Sequence, residues 1–270
     1  MSEFEAATLL ARAGVDSDPT FGAVMPPLHL SSNFSFAGFD DKRRYDYGRS
    51  GNPTRDILGD ALAQLEGGAG AVVTSSGMAA LDLVFSLVRP GELIVAPHDC
   101  YGGAHRLLSE RSRRGAFKVA FVDQTDAAAL DAALALEPRL VLIETPSNPL
   151  LRIVDIAAVA TKAKAVGALV AVDNTFLSPA QQRPIPLGAD YVVHSTTKYI
   201  NGHSDVVGGA VVAARAEQVE ALSFWANCVG VTGAPFDAYL TLRGLRTLFV
   251  RLRQQTQAAE RIADYLAQHP

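Results

Sequence analysis

The sequence predicts an α/β protein built on a mostly parallel sheet with helices on both faces. Three observations carry that prediction. From about residue 68, short runs of Val, Ile, Leu and Ala recur along the chain. Those runs are apolar at nearly every position, and longer amphipathic stretches separate them. A strand covered on both faces is apolar throughout, whereas one with a wet face alternates. Repeated strand–helix units need crossover connections, so neighbouring strands run parallel.

The elements follow in order. Residues 14–50 are rich in Pro, Ser, Asn and aromatics without periodicity, which gives residues 1–50 the character of an extended arm with a helix. Asn52 is placed to cap the next helix, with Pro53 at its first position and Gly67-Gly68 as its stop. Strands are expected at Ala71–Thr74, Leu93–Ala96, Val119–Val122, Leu140–Glu144, Leu169–Asp173, Tyr191–His194 and Val206–Ala213. Helices are expected at Ala79–Val88, Gly103–Arg114, Ala127–Ala135 and Ile156–Val166. The sheet and its helices would form one large domain over 51–233, and 234–270 reads as a long, almost continuous helix.

Composition narrows the setting. The chain has 270 residues, 24 Lys+Arg against 28 Asp+Glu, and 49% hydrophobic residues, a profile of a globular protein with a large core. A net charge of −4 gives no electrostatic case for nucleic acid or anionic lipid. No apolar run approaches a membrane span, and Glu3 and Glu5 stand where a signal peptide carries basic residues. Two cysteines are too few for a disulfide framework or a zinc site, so a cytoplasmic protein is expected. No internal repeat or charge run interrupts the pattern.

In a parallel sheet the ligand site lies beyond the carboxyl ends of the strands. After the first strand comes Thr74-Ser75-Ser76-Gly77-Met78 and then a helix, a local pattern for a phosphate at a helix N-terminus or simply for a tight turn. It matches neither GxGxxG nor GxxxxGK[ST]. Asp173 ends a fully apolar strand, as a functional acid or a helix cap. Lys198 follows Ser195 and Thr197 beyond the sixth strand; taken alone, a solvated surface lysine is the plainer reading. The combination says more than its members. A phosphate turn, an acid and a lysine on one row of strand ends match pyridoxal 5'-phosphate. That cofactor needs a lysine to hold it as a Schiff base and an acid to keep its pyridine nitrogen protonated. Tyr101, after the second strand, is placed to stack on the ring.

At this point the residues carry a resemblance. Tyr47-Gly48-Arg49-Ser50-Gly51-Asn52-Pro53-Thr54, Ser75-Ser76-Gly77-Met78, His98-Asp99-Cys100-Tyr101-Gly102-Gly103, Glu144-Thr145-Pro146-Ser147-Asn148-Pro149, Val172-Asp173-Asn174-Thr175-Phe176 and Ser195 through Asp205 stand in the order of one family. The sequence resembles the Cys/Met-metabolism family of pyridoxal-phosphate-dependent enzymes over nearly its whole length. The segments 97–101, 174–180 and 224–233 are most similar to its cystathionine γ-synthase branch.

The resemblance implies the aspartate-aminotransferase-like large domain of the pyridoxal-phosphate transferase fold. It implies Lys198 as the attachment and proton-transfer residue, Asp173 on the pyridine nitrogen and Tyr101 on the ring. Ser76, Gly77, Met78, Thr175, Ser195 and Thr197 would bind the cofactor, and Tyr47 and Arg49 would reach a neighbouring subunit's phosphate in a dimer or dimer of dimers. Asn148, Arg106, Asp46 and Asn227 would face the substrates, with Arg106 paired to the distal carboxylate of a succinyl group or simply exposed on its helix. Ser50 stands where many γ-synthases have a second arginine. The implied reaction joins L-cysteine to an O-acyl-L-homoserine. Cystathionine γ- or β-lyase and homoserine sulfhydrylase share the same core residues. The family continues beyond this length with a smaller C-terminal domain, so a cofactor-binding or oligomerising piece with little turnover is the reading from a different class.

Other residues have plain readings. His203 supports the Lys198 loop, and His29, His98 and His105 have no metal-ligand spacing. Cys100 and Cys228 read as buried small residues, and Trp225 as packing beneath the site.

Overall fold

The computed structural model describes residues 3–270, with side chains from Glu5 onward. The chain opens with helix α1 (Glu3–Arg12), crosses an irregular arm and enters α2 (Pro53–Glu66). Strand β1 (Gly70–Thr74), α3 (Gly77–Phe85), β2 (Leu93–Pro97), α4 (Gly102–Arg113), β3 (Lys118–Val122) and α5 (Ala127–Leu134) follow. Then come β4 (Leu140–Glu144), α6 (Ile156–Ala165), β5 (Leu169–Asp173), the short α7 (Ser178–Gln181), a 3₁₀ turn and β6 (Tyr191–His194). Strand β7 (Gly209–Ala213), α8 (Ala216–Val229), α9 (Pro235–Leu245) and α10 (Leu248–Ala267) complete it.

The seven strands form one sheet in the order β1-β7-β6-β5-β4-β2-β3. Only β7 runs against its neighbours, β1 and β6. The other six strands therefore share one carboxyl end. Burial alternates between two faces along each strand. In β4, Leu140 and Leu142 pack on one side and Val141 and Ile143 on the other. Helices α3, α4 and α8 cover the first face, and α2, α5, α6 and α9 the second. That double cover is why the strands read as continuous apolar runs.

Local chemistry sets the helix ends. The buried Asn52 caps α2 by accepting from the Thr54 and Arg55 N–H groups, at 3.0 and 3.2 Å. Its amide also donates to the His29 carbonyl at 2.9 Å, tying the arm to the sheet layer. Asp126 and Asp155 cap α5 and α6 in the same way.

Some expectations need correcting. The last strand begins at Gly209 rather than Val206, because residues 206–208 turn beside Thr197, whose hydroxyl bonds both backbone groups of Gly208. Helix α8 carries no clear apolar period in the sequence. Its inward positions, Val219, Leu222 and Ala226, are interleaved with exposed Phe224, Trp225 and Val229, which blurs the apolar stripe. In place of one helix over 234–270 there are two. Gly244 lies so close to Asn201 that a Cβ there would collide with its carbonyl. The chain tightens at this point through Thr247 N–H to Gly244 O, 3.1 Å, and α9 ends. Ala238, Leu242, Leu245, Leu248, Phe249 and Leu252 pack into the second face.

At the carboxyl end the two halves of the second layer meet through a buried polar network. Glu66, at the end of α2, accepts from Asn174 Nδ2 at 3.0 Å and pairs with His194 Nε2 at 2.8 Å. Both Glu66 and His194 are fully buried. Asn174 also exchanges hydrogen bonds with Gln182. Removing one partner strands the others without water. Glu66→Ala is expected to lower the free energy of unfolding by about 3–5 kcal/mol, read from denaturant titration. A change below about 1 kcal/mol would show that the network does not support the fold.

Candidate active site

The loops that follow the strands surround one cavity of about 690 Å³. Its position follows from the crossovers. Helix α4 leaves β2 on the first face, whereas α6 leaves the adjacent β4 on the second. The loops splay apart and open a crevice at the point where the strand order reverses. Ser76, Gly77, Met78, Tyr101, Asn148, Asp173, Thr175, Ser195, Thr197 and Lys198 all line it. These ten residues, all expected at the site from the sequence, come from five separate loops.

One wall is an anion cradle. Ser76 caps α3 through its hydroxyl, which accepts from Ala79 N–H at 3.1 Å. The first N–H groups of the helix, at Gly77 and Met78, have no acceptor within it. Gly77 is required by proximity, since a Cβ there would lie 2.6 Å from the Ser195 Cβ. The contact brings the helix end against Ser195, whose hydroxyl joins the N–H groups as a set of donors suited to phosphate, while the Thr197 hydroxyl lines the same cavity but is engaged with Gly208.

The floor carries Asp173. Thr175 N–H donates to its Oδ1 at 3.0 Å, and the Thr175 hydroxyl accepts from Ser195 N–H at 2.8 Å. One threonine thus ties the ends of β5 and β6. Burial raises the Asp173 carboxyl above the ordinary carboxylate range, while hydrogen bonds from Thr175 and the charges of His194 and Lys198 oppose the shift. This acid gains most from a cationic partner presented in the cavity. Tyr101 leaves 46% of its surface exposed over the cavity, a free aromatic face. Phosphate donors, a buried acid, an open ring and a lysine are the groups pyridoxal phosphate requires, and they fit it.

Glu144 is the residue that sequence reasoning missed. Although it stood within a quoted segment, a strand-ending glutamate gave no local sign of its partners. Its Oε2 accepts from Tyr101 N–H at 2.8 Å and its Oε1 from Asn148 N–H at 2.9 Å. It therefore spans the crevice and fixes both walls. Burial pushes its carboxyl up to about 7, helped by the charge of Asp173 and opposed by the two backbone donors. Tyr199, Gln255 and Phe176 also line the cavity without having been expected there.

The remaining assigned residues lie elsewhere. Arg49 and Asn227 meet in a separate small cleft, where the guanidinium donates to the Asn227 carbonyl. That guanidinium also lies 5.6 Å from the centre of the Tyr47 ring. Asp46 accepts from Tyr47 N–H and the Ser50 hydroxyl, which hold its carboxyl below the usual range. Arg106 is exposed on α4, whose Gly103, Ala104 and Leu108 take the inward positions, and it does not line the cavity. Two plain readings are corrected: Cys228 and Trp225 are exposed on α8, because the inward side of that helix is held by Leu222 and Ala226. Cys100 is buried, and burial pushes its thiol up to about 12. His203 Nδ1 donates to the Asn201 carbonyl, 2.7 Å away, beside the Lys198 loop. Among the described residues there is no cluster that would hold a metal ion, and no helix is long and apolar enough to cross a membrane.

The Glu144 shift has a sign. With its folded value above its unfolded one, its contribution to stability is complete below about pH 4.5 and is lost as pH rises through about 7. In the cofactor-free chain, Glu144→Gln should gain on the wild type by about 1–3 kcal/mol between about pH 5 and about pH 8, measured by denaturant unfolding. A difference independent of pH would exclude titration of Glu144 in that window.

Comparison with known proteins agrees with this geometry. The family model described as Cys/Met metabolism PLP-dependent enzyme matches residues 7–270. Cystathionine gamma-synthase of Escherichia coli (strain K12) is 56% identical over 265 residues, covering 98% of this chain and 69% of that protein. Cystathionine beta-lyase of Coxiella burnetii is 40% identical over 265 residues, covering 97% and 68% of the two chains. The crystal structure of cystathionine gamma synthase from Xanthomonas oryzae pv. oryzae in complex with cystathionine superposes with a TM-score of 0.97 at 62% identity. It covers 98% of this chain and 68% of that one. The chain belongs to the Cys/Met-metabolism family of pyridoxal-phosphate-dependent enzymes.

Proposed function

We propose that this enzyme catalyses a γ-replacement. The thiol of L-cysteine takes the place of the acyloxy group on the γ-carbon of an O-acyl-L-homoserine, O-succinyl-L-homoserine in the first instance, to give L-cystathionine for methionine biosynthesis in the cytoplasm. One observation carries the reading: Lys198, Asp173, Tyr101 and a phosphate cradle converge on a single cavity from loops far apart in the chain. The names of the relatives at 56% and 62% identity support the choice of reaction within the family.

Pyridoxal phosphate, when bound, draws electrons from the substrate α-carbon, so that its proton leaves near neutral pH. The protein's part is binding, orientation and proton transfer. Gly77 and Met78 N–H groups and the Ser76 and Ser195 hydroxyls bind the phosphate, and Thr197 joins them by turning its proton away from the Gly208 carbonyl. Asp173 keeps the proton on the pyridine nitrogen, and Tyr101 covers the ring face. Lys198 holds the cofactor at rest. Once substrate frees its amine, Lys198 carries protons one at a time: it takes one from the α-carbon and releases it, takes one from the β-carbon, and after the exchange at the γ-carbon returns a proton to each carbon. Loss of the second proton lets the acyloxy group depart as a carboxylate before the thiolate sulfur bonds to the γ-carbon. Asn148, held by Glu144, lies beside the substrate carboxylate.

The working unit in this reading is a homodimer or dimer of dimers. Tyr47 and Arg49 do not line their own chain's cavity, and the arm exposes Phe21, Val24, Leu30 and Phe39. Both facts support an arm that packs on a neighbour and completes the neighbour's phosphate site. Asp46, Asn227 and Arg106 would act at that junction.

Borohydride reduction of the cofactor-loaded chain followed by peptide mapping should label Lys198, and Lys198→Ala should abolish the label. A label on another residue would overturn the reading. Assays with O-succinyl-L-homoserine plus cysteine, and with cystathionine alone, then separate synthase from lyase: the first should turn over faster. Binding without turnover would identify a cofactor-binding module instead. Sharing of sites has its own test. Mixing Arg49→Ala chains with Lys198→Ala chains should restore part of the activity that each lacks, whereas additive residual rates would exclude exchange across subunits.

A further inference from the structure

We propose that Arg251, on α10, is a positioning residue that fixes the backbone beneath Lys198; the proposal rests on the assignment of Lys198 given above. The segment after β6 coils through Lys198 N–H to Ser195 O at 3.2 Å, Asn201 N–H to Thr196 O at 2.9 Å and Gly202 N–H to Lys198 O at 2.8 Å. A coil of this kind leaves carbonyl groups without donors at its far end. Arg251 supplies them. Its Nη1 donates to Tyr199 O at 2.7 Å, and its Nη2 donates to Ile200 O at 3.4 Å and Gly244 O at 2.8 Å. Its Nε donates to the Thr247 hydroxyl at 3.0 Å, which sets the plane of the fork.

Every one of these acceptors is a neutral oxygen. Among the described residues no carboxylate pairs with this guanidinium, and burial alone lowers its proton affinity. A half-buried cation without a counter-ion is held by dipoles, and two of the four oxygens concerned belong to the residues that follow Lys198. Gly202 makes room for the group, since a Cβ there would overlap the guanidinium. The near side of the same loop is fixed separately by Thr197 on Gly208. Arg251 does not line the cavity, although Gln255, one turn further along α10, does. It acts through the loop.

A planar fork can satisfy Tyr199 and Gly244 together, and a lysine ammonium cannot reproduce its geometry. Without the fork, residues 199–202 lose their anchor and the Lys198 amine loses its fixed approach. The phosphate cradle, built on α3 and on Ser195 and Thr197, stays intact. Attachment of the cofactor and simple binding of its phosphate therefore separate.

The test uses the full chain as wild type, Arg251→Met, Arg251→Lys and Lys198→Ala. Two quantities are read: the rate of covalent attachment of pyridoxal phosphate, from its absorbance change, and the equilibrium affinity for pyridoxine 5'-phosphate, which has no aldehyde. Arg251→Met should slow attachment by about tenfold or more and keep pyridoxine 5'-phosphate affinity within about threefold, with Arg251→Lys intermediate in rate. Hydrogen exchange at the Asn201 and Gly202 amides of the cofactor-free chain should quicken by about tenfold in Arg251→Met. Attachment at the wild-type rate would overturn the proposal. So would an equal loss of both quantities, which marks a merely structural role. If Arg251→Met does not fold, Arg251→Lys decides by the same pair of readings. Failure of the wild type to attach cofactor at Lys198 would instead overturn the functional reading on which the proposal stands.

Discussion

A carboxylate buried between strand ends has to find donors, because water is excluded and an unpaired charge there is costly. Glu66 meets both Asn174 and His194 through Oε1, while its buried Oε2 has no hydrogen-bond partner among the described residues. Each of these residues is the immediate neighbour of a site residue, Asn174 following Asp173 and His194 preceding Ser195. The network that completes the second layer of the fold therefore also sets the relative height of β5 and β6. The Asp173 carboxyl and the phosphate-side hydroxyls inherit their positions from it. Thr175, which joins Asp173 to Ser195 on the cavity side, fixes the same register from above.

The crevice beside this register arises from topology. Helices leave β2 and β4 on opposite faces, so the two loops part, and backbone N–H groups at Tyr101 and Asn148 are left without strand partners. Glu144 accepts both. The result places two acids, Glu144 and Asp173, in one poorly hydrated floor, where burial raises both and the charge of Asp173 raises Glu144 further. Such a floor favours a cation, and the chemistry expected of the family supplies one at the pyridine nitrogen. Binding of the cofactor and relief of this electrostatic cost are then the same event.

Around that centre the chain keeps its irregular parts for contacts between elements. The arm has little core of its own, and it is tied down at Asn52 and at Arg55, which donates to the Gly48 and Arg49 carbonyls. At the other end α10 extends beyond the core after Leu252, with Ile262, Tyr265 and Leu266 exposed. Its first turns nonetheless reach the cavity through Gln255 and the Lys198 loop through Arg251.

Much of this architecture was legible in the residues alone. Continuous apolar runs marked six of the seven strands to within one residue at either end, because double burial acts on each strand separately. The polar residues at their carboxyl ends, Asp173, Ser195, Thr197 and Lys198, marked the site only in combination, since each alone also fits a cap, a turn or a solvated surface. Helix α8 and the break between α9 and α10 escaped, since exposed aromatics hid one pattern and the other depends on Gly244 meeting Asn201. Glu144, Glu66 and Arg251 also gave no local signal. Their partners lie 43, 108 or 128, and 52 residues away. Periodicity reports the burial of a single element, whereas such pairings exist only once strand order and register bring distant segments together. The sequence by itself determined the strands, their covered faces and ten of the residues that line the cavity. Tertiary structure alone decided which buried charges hold those residues in place, because a buried charge is defined by the neighbours that replace its water.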